Sequence, residues 1–454
     1  MQNRSAVLFA ILLCFTASIS WGTDTEVDET NLVPRMGILY KKFSTEAFTG
    51  LVVKYYVDGQ IKTKSEYKNG LEVKIYEQYY ENGQVEFAGT LKDGLRDGLW
   101  EFNYENGQLL RKVVYKKNEW EGLVETHRES GQLLSKGAYK SGKEHGVWEH
   151  YKESNDLEYR AHYTDGVKDG LWEQYHDNGQ LKMLGNWKAG NLDGVWNYYH
   201  ENGQLKRTVG WNDGKQKGPE EIYYENGQLN FKVAWQNDDK EGLEEVYYQN
   251  GDVKYKVSYE AGKKYGPEES YYQNGKMALK STWIEDHKDG ISEEYYENGQ
   301  LKLREVWANQ VKDGLEEIYY VTGQLQHRVT WQGGYKNGTE EKFYANGQPK
   351  LTGTWALKTK NGPWAEFREN GQLVLTGVYR GGQKQGRWKE YYPNSQLKNN
   401  SMFDKDKKQG LFLAYYRNGK LSMKGNYTAD KRSGKWEFHR ESGAFDRVEI
   451  FDDN

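Results

Sequence analysis

The chain has almost no cysteine. Cys14 is the only one in 454 residues, and it lies inside an apolar run near the N-terminus. No disulfide can form within the chain, so stability has to come from packing and strand pairing. Proline is scarce, with 6 residues. The apolar run from Ala6 to Phe15 is too short to span a bilayer as a helix. An excess of one charge is also missing: 63 basic and 67 acidic residues leave a net −4 at pH 7. A nucleic-acid binder should carry a basic excess, so that class is excluded. There is no Gly-rich phosphate loop, no paired-His metalloprotease motif and no Gly-x-Ser-x-Gly elbow. The expectation is a protein that is not an enzyme, with no catalytic residue, no metal and no cofactor.

What the chain does have is glycine (51 residues) and aromatics (15%), distributed on a fixed beat. The stretch Tyr223-Tyr224-Glu225-Asn226-Gly227-Gln228-Leu229 recurs every 24 residues. Its glycine returns as Gly59, Gly83, Gly107, Gly131, Gly179, Gly203, Gly227, Gly251, Gly275, Gly299, Gly323, Gly347, Gly371, Gly419 and Gly443, with Asn155 and Ser395 filling the two remaining slots. Asn-Gly between apolar runs is a hairpin signal, read as a type I′ turn with φ > 0 at both central residues. A short fixed period means a repeat array. The predicted fold is all-β: an elongated, twisted antiparallel meander of about 17 β-hairpin repeats. The array is expected over residues 37–454, with a first strand near Gly37 to Phe43 because Phe43 falls on the aromatic grid.

A two-residue turn fixes the register. The residue six before each turn glycine faces the one five after it, which pairs Glu101–Lys112, Glu125–Lys136, Glu149–Arg160, Glu221–Lys232, Glu245–Lys256, Glu269–Lys280, Glu293–Arg304 and Glu317–Arg328. Facing opposite charges contribute roughly 0.2–1 kcal/mol each. Side-chain alternation puts Trp100, Tyr104, Leu109, Val113 and Tyr115 on one face. Large residues face small ones: Trp172 opposes Gly185, Trp148 Ala161, Trp364 Gly377, Trp388 Ser401 and Phe412 Gly425. Each ring is expected to cover the facing backbone. The central copies carry acid at the tryptophan position: Glu220, Glu244, Glu268, Glu316 and Glu340, with Ser292 between. Acidic pairs such as Glu220-Glu221 read as a solvated edge.

The histidines follow the grid. His127 and His439 stand at a tyrosine position, and His176 and His200 at the next, so they read as aromatic replacements. A second stripe, Tyr223, Tyr247, Tyr271, Tyr295 and Tyr319, lies on the charged face. It is the candidate binding stripe, with packing against the next hairpin as the plainer reading. Regular rings about 10 Å apart could hold an elongated protein or a sugar polymer.

The N-terminus reads differently. Residues 1–22 have the pattern of a secretory signal peptide, with Arg4, an apolar core and small residues to Ser20. Residues 23–36 are polar and acidic and read as a flexible leader. Export to a periplasm, an outer surface or the medium is the expected localisation.

The run Gly-Leu-Trp-Glu-x-Tyr-x-x-Asn-Gly-Gln-Leu-Lys, from Gly170 to Lys182, resembles the MORN variant repeat. Glu46-Ala47-Phe48-Thr49-Gly50, with Tyr55-Tyr56-Val57-Asp58-Gly59-Gln60, is similar to the opening of bacterial YwqK-like antitoxins of that class. The resemblance implies a hairpin array and either an antitoxin role against a partner toxin or, as for MORN repeats generally, scaffolding and membrane association. The combined expectation is an exported protein-binding scaffold. An antitoxin is the first alternative, and a module for cell-envelope polysaccharide or a membrane surface is the second.

Overall fold

A computed structural model describes residues 26–452; the expected signal peptide lies outside them. Among the described residues there is no α-helix, only one 3-10 turn, Glu29–Asn31. The described residues divide into two compact units, with the boundary between Leu192 and Asp193. In each, consecutive strands pair antiparallel in chain order. The first unit runs from the strand Gly50–Tyr55 to Leu181–Lys188. The second runs from the strand Asn191–Tyr199, whose first two residues fall before the boundary, to Phe445–Phe451.

The start of the first unit departs from the expectation. Residues 26–36 are not a structureless leader: Val27–Asp28 pairs parallel to Val52 and Val53. Leu32–Arg35 pairs with Ile38–Lys41 in a two-stranded sheet of their own. The cause is a small apolar cluster in which Leu32, Phe48 and Val52 are buried, with Val27, Leu39 and Tyr67 packed around them. Phe43 is fully exposed with φ +65°, so the array proper begins at Gly50 rather than near Gly37.

Each repeat has two turns, and the sequence reading assigned the wrong type to the Asn-Gly one. Gly107 N–H donates to Tyr104 C=O (2.9 Å), and Tyr104 N–H donates to Gln108 C=O (2.8 Å). The loop is therefore three residues, Glu105-Asn106-Gly107. Only the glycine is left-handed, as in a type I turn closed by a bulge glycine. The turn glycines Gly83, Gly107, Gly179, Gly203, Gly227, Gly251, Gly275 and Gly299 all have φ between +79° and +90°.

The asparagine is there for its side chain. Asn106 Oδ1 accepts from Gln108 N–H (2.9 Å), and its Nδ2 donates to Glu129 C=O in the next repeat (2.9 Å). The same reach of 23 residues recurs at Asn202, Asn274 and Asn418. Type I′ turns occupy the opposite edge, where two successive residues have φ > 0, as in Lys117-Asn118 and Lys405-Asp406.

The eight charge pairs nevertheless face each other as expected. Two departures cancel. The loop is one residue longer than assumed, and a bulge follows, because Phe102 faces Arg111 while Asn103 faces Leu109. Leu110 is the extra residue, and the register beyond it is restored.

At the connector edge, Leu357-Lys358 holds two bulky residues left-handed, at φ +38° and +69°. Left-handed backbone costs an L-residue about 1–2 kcal/mol. Leu357→Asn with Lys358→Gly is expected to raise stability by about 1 kcal/mol, read as a shift in the urea midpoint.

Candidate functional site

Two faces have to be weighed. The inner face carries the large aromatics. Trp100, Trp388 and Trp436 are at most 2% exposed. Each ring lies over a glycine eleven residues earlier, Gly89, Gly377 and Gly425, and Trp148 and Trp364 lie over Gly137 and Gly353 in the same way. The strand partners are as predicted, but each tryptophan also faces a residue on the preceding strand, as Trp100 faces Gly89 and Trp364 faces Gly353, and the ring lies over that one. The indole N–H then donates to the carbonyl ten residues earlier: Trp100 to Thr90 (3.0 Å), Trp388 to Val378 (3.2 Å) and Trp436 to Asn426 (3.1 Å). Tyr104 and Leu109 are not part of the apolar cluster around Trp100; Phe102 takes that place.

In many repeats a cation is inserted between the rings; Trp120, Glu144, Leu192 and Gln216 hold that position in others. Arg96 lies over Trp100 (4.4 Å), Lys168 over Trp172 (4.2 Å) and Trp187 (4.9 Å), and Lys360 over Trp364 (4.0 Å). Such contacts contribute about 0.5–2 kcal/mol, and the long alkyl stems cover apolar surface. The inner face is thus closed by its own side chains within each unit.

The acidic residues of the central copies are buried, which corrects their reading as a solvated edge. Glu220, Glu244, Glu268, Glu316 and Glu340 are 2–7% exposed. They take the tryptophan position where the residue eleven earlier is Val or Glu instead of Gly, as with Val257 before Glu268. Glu268 accepts from Tyr255 Oη, Lys264 Nζ and Ser281 Oγ at 2.7 Å each, and from Trp283 Nε1 at 2.8 Å. Burial alone would push its pKa up, but the donors Lys264, Tyr255, Ser281 and Trp283 together bring it down to about 2. Glu340 is held below the ordinary carboxylate range in the same way by His327 (2.9 Å), Lys336 (2.7 Å) and Trp355 (2.7 Å) against the opposing effect of burial. Both carboxylates are committed to neighbouring strands, so they act as polar replacements for the indole clamp.

The tyrosine stripe is half-buried and its hydroxyls are engaged. Tyr271 donates to Glu269 (2.6 Å) and Tyr295 to Glu293 (2.8 Å); Tyr223 donates to Glu221. Burial, then the glutamate bond, pushes the Tyr223 and Tyr295 hydroxyls up to about 12. Lys232 lies over the ring of Tyr247, and Tyr319 bonds Glu317. The carbonyls of these residues are occupied as well: Tyr224, Tyr248, Tyr272 and Tyr296 each reach 23 residues on to the backbone oxygen of Tyr247, Tyr271, Tyr295 and Tyr319 (2.7–2.9 Å). His200 makes the same contact to Tyr223 (3.1 Å), as an aromatic replacement should. His150 stacks on Tyr159 at 4.3 Å. Among the described residues no cluster of His, Asp and Glu is placed to hold a metal ion.

What remains exposed is a row that the sequence reading missed. On the outer face, Leu99, Leu123, Val147 and Leu171 in the first unit are 37–72% exposed. Leu243, Ile291, Leu315 and Leu411 in the second are 38–47% exposed. Each follows the connector glycine. There the forward strand carries two extra residues: Trp120 faces Tyr115 but Val124 faces Val113, with Gly122 at φ +89° between. The next side chain points away from the face that buries Val124. The 24-residue recurrence of Leu or Val after this glycine was visible in the sequence, but period-2 alternation assigned it to a polar face.

The repeat pattern described as the MORN repeat variant matches residues 48–69, 72–93, 96–117, 168–189, 192–213, 216–237, 240–261, 264–285, 288–309, 336–356, 384–405 and 408–429. The chain belongs to the MORN repeat variant family. No curated protein sequence matches it. Among solved structures, "Crystal Structure of TcdB2-TccC3-TEV" is similar at 11% identity over 90% of this chain and 25% of that one, with a TM-score of 0.15. "Crystal Structure of TcdB2-TccC3-Cdc42" gives 11% identity, 86% and 28% coverage, and a TM-score of 0.12. The chain spans about a quarter of the length of these structures.

Proposed function

We propose that this MORN repeat variant protein is an exported, non-catalytic scaffold that docks a protein partner on its outer face. The observation that carries the reading is the exposed apolar row at the repeat period. Both turn edges spend their hydrogen-bonding groups on the next repeat, and the inner face is filled. The outer face presents apolar side chains to water in many of the repeats, interrupted at Thr339, Arg387 and Lys435, and regular exposed apolar surface marks interaction sites. The row is flanked by the Glu–Lys pairs, which supply a polar rim of the kind protein interfaces use.

Leu123→Lys with Leu243→Lys tests this. Both residues are already exposed, so melting should not change. Capture of the partner from an envelope or culture fraction by the wild-type chain should fall at least about tenfold in the double variant, the loss expected when central apolar contacts are removed. Undiminished capture overturns outer-face docking.

A further inference from the structure

The outer face of the first unit contains a groove of about 510 Å³ between Leu123 and Val147, floored by Ala138 and glycine backbone. That volume lies in the roughly 300–1,000 Å³ range of ligand sites. Glu125 stands at its rim, exposed. Among the described residues it is the one of the pairing glutamates left with no partner, because both usual ones are diverted. Lys136, which faces it, bonds Glu149 instead (2.8 Å), and Lys112 bonds Glu101 (3.1 Å). The tyrosine that would bond it from two residues on is His127, whose Nδ1 has no partner. The groove, which Lys136, His145 and Glu149 also line, therefore couples an apolar floor to a carboxylate that makes no ion pair of its own.

The row continues on either side, at Leu99 and Leu171. Successive rungs are two strands apart, about 10 Å at about 4.8 Å per strand. An extended strand ligand presents one face every second residue, about 7 Å, and falls out of step. A polyproline II segment has three residues per turn and about 3.1 Å rise, so the same face returns about every 9 Å. Resting on the outer-face reading above, we infer that this face takes a polyproline II segment of a partner protein, with an apolar side chain at every third position and a basic residue beside the one in the groove. A small hydrophobic cation would fill the groove but leave the neighbouring rungs unused.

The test uses the full chain and two fluorescein-labelled peptides of twelve residues. One repeats Leu-Pro-Arg; the other has the same composition with its leucines grouped at one end. Anisotropy should show at least tenfold tighter binding of the repeating peptide. Glu125→Gln should weaken it at least threefold and reduce its salt dependence. Ala138→Phe, which fills the groove, should weaken it at least tenfold; Leu123→Lys, at an exposed position, gives the same readout if Ala138→Phe fails to fold. Equal affinity for both peptides, or full affinity in a folded groove variant, overturns the inference. Indifference to both peptides combined with lost partner capture in Leu243→Lys also overturns it, while leaving outer-face docking intact.

Discussion

Trp388→Ala is expected to destabilise its part of the array by about 3–5 kcal/mol, the range for truncating a buried large aromatic. The indole is 2% exposed, and it seals the backbone of Gly377 and donates to Val378 C=O. Gly377→Ala should be harmful from the other side, because its Cβ would stand 2.1 Å from Trp388 Cδ2. Stability in a repeat array is close to a sum of neighbour terms. The loss should therefore appear in hydrogen exchange over residues 373–404 first. Trp388→Glu alone should be about as damaging, since it buries a carboxylate beside a glycine. Glu268 shows what it lacks: a valine eleven residues earlier, a tyrosine donor thirteen earlier, where this repeat has Leu375, and an indole fifteen later. Lys384 and Ser401 already stand where Lys264 and Ser281 serve Glu268. Gly377→Val and Phe403→Trp, added to Trp388→Glu, should restore at least half of the lost stability. If the triple variant melts no higher than Trp388→Glu, the indole and the carboxylate are not interchangeable solutions of one site.

Glu268→Ala is the second large effect. It leaves the Lys264 ammonium without its counter-charge and deprives Tyr255, Ser281 and Trp283 of an acceptor. Breaking a buried pair from one side costs about 3–5 kcal/mol. The carboxylate also makes stability depend on pH. Its folded pKa, about 2, lies below the ordinary 4.5. The contribution is therefore complete above pH 4.5 and is lost as pH falls towards 2; the depression corresponds to on the order of 3 kcal/mol. Urea midpoints measured between about pH 5 and about pH 2 should fall more steeply for the wild-type chain than for Glu268→Gln. Parallel slopes would show that this carboxylate is not what acid attacks.

The two variants separate what was legible in the sequence from what was not. The period, the hairpins and the eight charge pairs follow from one-dimensional spacing, and a loop longer by one residue did not spoil them because a bulge restored the count. The tryptophans and the central glutamates were placed at the same position of the repeat. Which neighbour they touch was not legible, since a central strand has a facing residue on each side and pairing does not say which of the two the rotamer of Trp388 covers. The burial of Glu268 was hidden for a related reason: its donors come from neighbouring strands, and only their convergence makes a buried charge tolerable. The tyrosine stripe was correctly seen as regular, but its hydroxyls and carbonyls turned out to be occupied. Leu123 was overlooked because alternation puts it on the charged face, where an apolar row was not looked for.

By itself, then, the sequence determined that a ladder of antiparallel strands forms and which residues sit opposite one another, because both depend only on turn chemistry and counting along the chain. The tertiary structure alone decided which side chains are spent holding neighbouring repeats together and which are left facing water, because burial is a property of several strands at once.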